Sequence, residues 1–160
     1  MTSIHPDVHI GHVHLKVSDI ERAEAFYRDA FGFEVTTRYG TDAVFMSAGG
    51  YHHHIGLNVW HSKGGGPPPP DTTGLYHFAI LYPTRKELGR ALKRLIDKNV
   101  HIDGASDHGV SEAIYLRDPD GNGIELYRDR DRSEWPLNPD GSLAMSTGPL
   151  DVRALLAEAE

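Results

Sequence analysis

The chain repeats itself. His12-Val13-His14-Leu15 overlies His77-Phe78-Ala79-Ile80 at an offset of 65 residues, and each stretch leads into a capped apolar helix after a similar interval. The ends also align, with a small slip: His53-His54-Ile55-Gly56-Leu57 overlies Asn122-Gly123-Ile124-Glu125-Leu126. A duplicated segment of this size is one supersecondary unit used twice, so the fold must be a pair of like units.

Within each copy the periodicities predict β-α-β-β-β. In the first, a strand is expected at about 9–17, and a helix follows with Ser18 and Glu21 as a capping box. Ile20, Ala23, Tyr27, Ala30 and Phe31 recur at helical spacing, and Gly32 ends the helix. Short strands are expected near 33–39, 43–48 and 53–60. In the second copy a strand near 76–82 leads to a helix capped by Thr84 and Glu87, with Leu88, Ala91, Leu92, Leu95 and Ile96 on one face. Strands are expected near 100–103, 112–117 and 123–127. The Gly/Pro run 64–70 suits neither helix nor central strand and marks the boundary. The expected organisation is one domain over 1–160: module 1 at about 9–62, a linker at 63–73, module 2 at about 74–128, and a tail at 129–160. The tail is expected to hold a short helix near 150–157. Its leucines would cover either their own core or a partner subunit.

Composition narrows the function classes. With 16 basic and 23 acidic residues the formal charge is -7, which argues against nucleic-acid and anionic-membrane partners. No apolar run approaches the roughly 20 residues of a membrane span. The first residues lack the basic-then-apolar pattern of a secretion signal, so a cytoplasmic protein is expected. There is no cysteine, so any metal site must use N and O ligands.

The repeat register makes His12 and His77 equivalent, and Glu125 equivalent to Gly56. Four ligand positions of a pseudo-twofold site would thus carry two imidazoles, one carboxylate and no side chain. Two histidines and one carboxylate on separate strands can form a facial metal triad with open positions for substrate and O2. Tyr115 falls close to opposite Glu125 once the Asp118–Gly121 turn folds 112–127 into a hairpin. His54, two residues before Gly56, shares its face and could manage a proton, as could neighbouring His53. His108 is a weaker candidate, and His52 reads as part of a loop cluster. His9 and His14 have no evident partner. The acids of the Asp118–Gly121 turn read as structural.

Residues 50–58, 74–77 and 118–127 resemble the vicinal oxygen chelate superfamily, which includes glyoxalase I, the extradiol ring-cleaving dioxygenases and the bleomycin and fosfomycin resistance proteins. They look most like its catechol 2,3-dioxygenase-like members. The resemblance covers about residues 9–128. It implies an α+β fold of two βαβββ modules whose mixed sheet curls as a half-barrel around a metal. It also implies ligands at the places held by His12, His77, Gly56 and Glu125, and a catalytic-site tyrosine ten residues before the glutamate, here Tyr115. Glyoxalase I carries a carboxylate at the place of Gly56, whereas extradiol enzymes use two histidines and one glutamate. The expectation is therefore an Fe(II) dioxygenase acting on a small aromatic diol and O2, with Mn(II), Zn(II) or Ni(II) as other metals. A glyoxalase-like lyase or isomerase and a metal-free antibiotic-binding protein are the alternatives. A homodimer is the expected assembly.

Overall fold

The structure is a computed structural model that describes residues 3–160. It divides into two compact units, the first ending at Gly66 and the second running from Pro67 with residues Asp29–Phe31 added. Each is a helix packed on an open mixed sheet, and the molecule is α+β.

In the first unit the strands are β1 (Val13–Lys16), β2 (Glu34–Tyr39), β3 (Ala43–Ser47) and β4 (Ile55–Asn58), in spatial order β1-β4-β3-β2. β1 runs parallel to β4 and the other pairings are antiparallel. Helix α1 (Ile20–Phe26) is capped by Asp19, whose carboxylate accepts the Arg22 N–H at 2.9 Å. Ser18 was the expected cap, and both residue types suit the place. Asp19 holds it because its extended backbone turns the carboxylate onto the first free N–H groups. The final turn widens into a π-helix (Tyr27–Phe31), and Gly32 closes it with φ 86°, a conformation that glycine adopts without cost.

In the second unit the strands are β5 (Phe78–Leu81), β6 (Ile102–Asp107), β7 (Ser111–Arg117), β8 (Gly123–Asp129) and β9 (Gly148–Pro149), in the order β5-β8-β7-β6-β9. β5 is parallel to β8, as β1 is to β4. Helix α2 (Arg85–Asp97) starts at Thr84, whose hydroxyl accepts the Glu87 N–H. It buries Leu88, Ala91, Leu92 and Leu95 against the sheet face carrying Ile114, Leu116, Ile124 and Leu126. Each such side chain is worth about 1.5–3 kcal/mol when fully removed from water. β6 begins later than its residue types suggest. Asn99 takes φ 54° and the Val100 N–H turns back to the Leu95 carbonyl, so those residues belong to the helix stop.

Of the tail leucines, Leu155 is covered by the chain's own second unit. α3 (Val152–Ala157) packs on α2 with Leu155 fully buried. The approach is so close that a Cβ on Gly89 would lie 2.5 Å from the Leu155 carbonyl oxygen. Buried Glu112 on β7 accepts from Arg85 of α2 at 2.9 Å and from Arg128 of β8 at 2.8 Å, and Arg85 also pairs with Glu158 just past α3. Among the described residues no helix is long and apolar enough to cross a membrane.

Candidate active site

β8 is the central support of the second unit's site. Glu125 is paired on one side with Ala79 of β5 and on the other with Tyr115 of β7. Strand alternation sends Ile124 and Leu126 into the core and leaves Glu125 and Tyr115 on the opposite face. His77 stands one residue before β5, not within it, and its Nε2 lies 2.8 Å from Glu125 Oε2. Both side chains are largely covered, at 29% and 14% exposure. Gly123 permits this approach, since a Cβ there would lie 2.3 Å from the Tyr76 carbonyl oxygen. The turn that sets the register is held by Asp118, which accepts the N–H groups of Asp120 and Asn122 at 2.9 Å each, so its role is structural.

The Tyr115 hydroxyl lies 3.5 Å from Glu125 Oε1 and 2.6 Å from His108 Nε2. Burial, then the neighbouring Glu125 charge, pushes its pKa up to about 12, so the phenol is protonated at neutral pH. His77, Tyr115 and His108 border an open cleft of about 330 Å³, lined also by Tyr76, Arg117 and Thr147. That is the lower end of the range for small-molecule sites.

The first unit repeats the backbone and exchanges the side chains. Val13 pairs with Ile55 as Phe78 pairs with Ile124. One step on, His14 pairs with Gly56 where the second unit pairs Ala79 with Glu125. The place of a fourth acidic ligand is taken up by the His14 ring: a Cβ on Gly56 would lie 2.9 Å from His14 Cγ. The ring sits edge-on to Phe45 at 5.6 Å and near Trp60 at 5.7 Å. Asn58 Oδ1 accepts the Trp60 N–H, so its amide nitrogen donates to His14 Nε2 at 3.0 Å. Burial, with a smaller contribution from His12, lowers the His14 pKa.

His12 precedes β1 and is exposed, with its ring 4.3 Å from that of His53. His53 in turn lies 5.1 Å from Phe45, and burial, followed by His12 and His52, lowers its pKa. The His54 ring is tied elsewhere: its Nδ1 accepts from the Ala48 N–H at 3.3 Å and lies 3.1 Å from Ser47 Oγ. His77, Glu125, Tyr115 and His108 are therefore brought together in one unit, and His12 and His53 in the other. Among the described residues no three His, Cys, Asp or Glu side chains gather as a metal-binding group. The sequence reading missed His14. Its signal was available in the alternation from His12 and in a glycine at the paired position.

The His14–Gly56 contact makes an expected result. Gly56→Ala should cost about 1–3 kcal/mol by overpacking. Adding His14→Ala should restore much of that loss. Denaturant unfolding of the two single variants and the double variant measures the coupling, and additive losses would mean that the ring is not what the methyl meets.

The sequence profile of the family described as the Glyoxalase/Bleomycin resistance protein/Dioxygenase superfamily matches residues 9–126. The chain is 46% identical over 160 residues to "Catechol-2,3-dioxygenase" of Bacillus subtilis, covering 99% of itself and 55% of that protein. It is 33% identical over 121 residues to "Biphenyl-2,3-diol 1,2-dioxygenase 3" of Rhodococcus globerulus, covering 75% of itself and 63% of the relative. The chain thus spans little more than half the length of these curated relatives. Among solved structures, lactoylglutathione lyase from Agrobacterium tumefaciens superposes with TM-score 0.60 at 24% identity, over 78% of this chain and 96% of that one. A glyoxalase/dioxygenase from Nostoc punctiforme superposes with TM-score 0.62 at 20% identity, over 82% and 99%. At these identities the likeness is one of fold.

Proposed function

The chain belongs to the Glyoxalase/Bleomycin resistance protein/Dioxygenase superfamily, and from that premise we propose that it is an extradiol-type dioxygenase, opening a catecholic ring beside its hydroxyls with O2. The carrying observation is the His77–Glu125 pair with Tyr115 beside it on the neighbouring strand. The catechol and biphenyl-diol dioxygenases among its relatives support the same reading.

His77 and Glu125 are a donor pair that suits a divalent metal. Nε2 of His77 and Oε2 of Glu125 are 2.8 Å apart. An imidazole nitrogen and a carboxylate oxygen this close together would hold such an ion between them. In this proposal His12, at the place equivalent to His77 in the other unit, is the third ligand. Two imidazoles and one carboxylate are the donor set of non-haem Fe(II) oxygenases, which makes iron the proposed metal. When bound, such an ion supplies a Lewis-acid centre with positions open to a diol and O2.

The chain's own residues do the rest. Tyr115 presents its phenol oxygen to a substrate hydroxyl in the cleft. His53, beside His12, accepts a diol proton, and burial favours the neutral form that it needs for this. Gly56 supplies no fourth ligand, so the ligand set differs from that of the glyoxalase-like alternative, which adds a carboxylate there.

The test is anaerobic reconstitution with Fe(II), Mn(II), Zn(II) or Ni(II), followed by a catechol panel under air. The expected result is O2 uptake with a yellow semialdehyde product, greatest with iron. No uptake on any catechol, with isomerisation of a hemithioacetal by the nickel or zinc form, would replace this reading by the lyase.

A further inference from the structure

His108 sits at the turn between β6 and β7, and both its ring nitrogens are engaged. Nδ1 lies 2.9 Å from the Ser146 carbonyl oxygen, and Nε2 lies 2.6 Å from the Tyr115 hydroxyl. A carbonyl can only accept, so Nδ1 must carry the hydrogen. A neutral imidazole protonated at Nδ1 has a bare Nε2, so the proton in the short contact comes from Tyr115. A phenol has one proton to give. At 2.6 Å the imidazole receives it, while Glu125 Oε1 at 3.5 Å lies at the edge of hydrogen-bond reach.

The group that fixes this arrangement belongs to the segment beyond β8. Gly148 and Pro149 form β9 and pair with Asp107 and Ser106 of β6, directly before His108. The Ser146 N–H donates to the His108 carbonyl at 3.2 Å, so the segment grips this residue by backbone and side chain together. Gly109 leaves no slack, since a Cβ there would lie 2.9 Å from Pro136 Cγ. Second partners of this kind commonly decide which imidazole nitrogen is protonated.

We propose that this segment is a working part of the site and that His108 is a positioning residue. The Ser146 carbonyl holds the Nδ1–H tautomer, and the tautomer turns the Tyr115 proton toward the imidazole. The phenol oxygen is left to accept from a diol hydroxyl in the cleft, with its proton aimed away from the metal-side carboxylate. The consequence for turnover rests on the dioxygenase reading, whereas the tautomer does not.

The decisive measurement is a long-range 1H–15N spectrum of the full chain labelled at its histidines, metal-free and zinc-loaded. His108→Gln identifies the His108 signal among the eleven histidines. The expected result is a protonated Nδ1 and an unprotonated Nε2 at neutral pH. A protonated Nε2, alone or together with Nδ1, overturns the proposal. In kinetics, His108→Phe and Tyr115→Phe should each lower kcat about 100-fold, the scale of a misplaced proton-handling group. KM should change little, and the double variant should be no worse than either single one. Multiplying losses would show two independent roles and reject the positioning link. If His108→Phe does not fold, the wild-type spectrum still decides. Wild-type protein inactive on every catechol would sink the dioxygenase reading, and the spectrum would still settle the tautomer.

Discussion

Replacing His77 by alanine is expected to weaken metal binding by more than about 100-fold and to remove turnover with it. Loss of a mere outer partner of a metal ligand costs about 10–100-fold in affinity, so loss of a ligand must cost more. In the variant Glu125 would keep its place on β8 and its neighbour Tyr115, but the nitrogen 2.8 Å away would be gone. His77 lies outside the buried apolar core, so the metal-free fold should survive. The difference should surface as lost stabilisation by added metal, because a ligand that binds only the folded state raises its stability by mass action. Chelator competition and thermal unfolding with and without Fe(II) read both effects. His12→Ala and Glu125→Gln should behave alike. Full metal occupancy in His77→Ala would reject the assigned ligand set.

The second large effect is one of stability. Glu112→Ala should destabilise the protein by about 3 kcal/mol, the lower end of the cost of breaking a buried ion pair. The carboxylate is 5% exposed and lies within 2.9 Å of both the Arg85 and Arg128 guanidinium groups, with Arg130 at 3.7 Å. Its removal leaves these cations crowded together with one counter-charge fewer. For a chain of this size the loss corresponds to a fall in Tm of roughly 6–12 °C. Glu87→Ala is the control. Glu87 pairs with Arg90 on the exposed side of α2, where such a pair is worth about 0–1 kcal/mol. Equal losses in the two variants would show that burial of Glu112 does not matter.

Much of the site was legible because short-range rules carry it. The Asp118–Gly121 turn makes a hairpin, a hairpin fixes pairing, and pairing puts Tyr115 opposite Glu125. Thr84 with Glu87 marks a helix start that the structure keeps. The exchange of His14 for Gly56 was harder to see. It depends on β1 and β4 being parallel neighbours, a pairing between strands some 40 residues apart that local periodicity does not encode. The Ser146 contact was invisible for another reason: its acceptor is a backbone carbonyl, which every residue has. The Asp19 cap was missed because Ser18 and Asp19 satisfy the same rule, and only backbone angles choose between them.

The contact between Arg85 and Glu158 has a kinetic meaning as well. It closes a loop of 73 residues, whereas the His14–Asn58 bond of the first unit closes one of 44. The added loop entropy is below about 0.6 kcal/mol, too little to set the pace of folding. An interaction that forms only after the barrier has been crossed slows unfolding and leaves the folding rate alone. If α3 docks after the barrier, its latch is a brake on opening: Glu158→Ala should then speed unfolding in stopped-flow measurements and leave the folding rate unchanged.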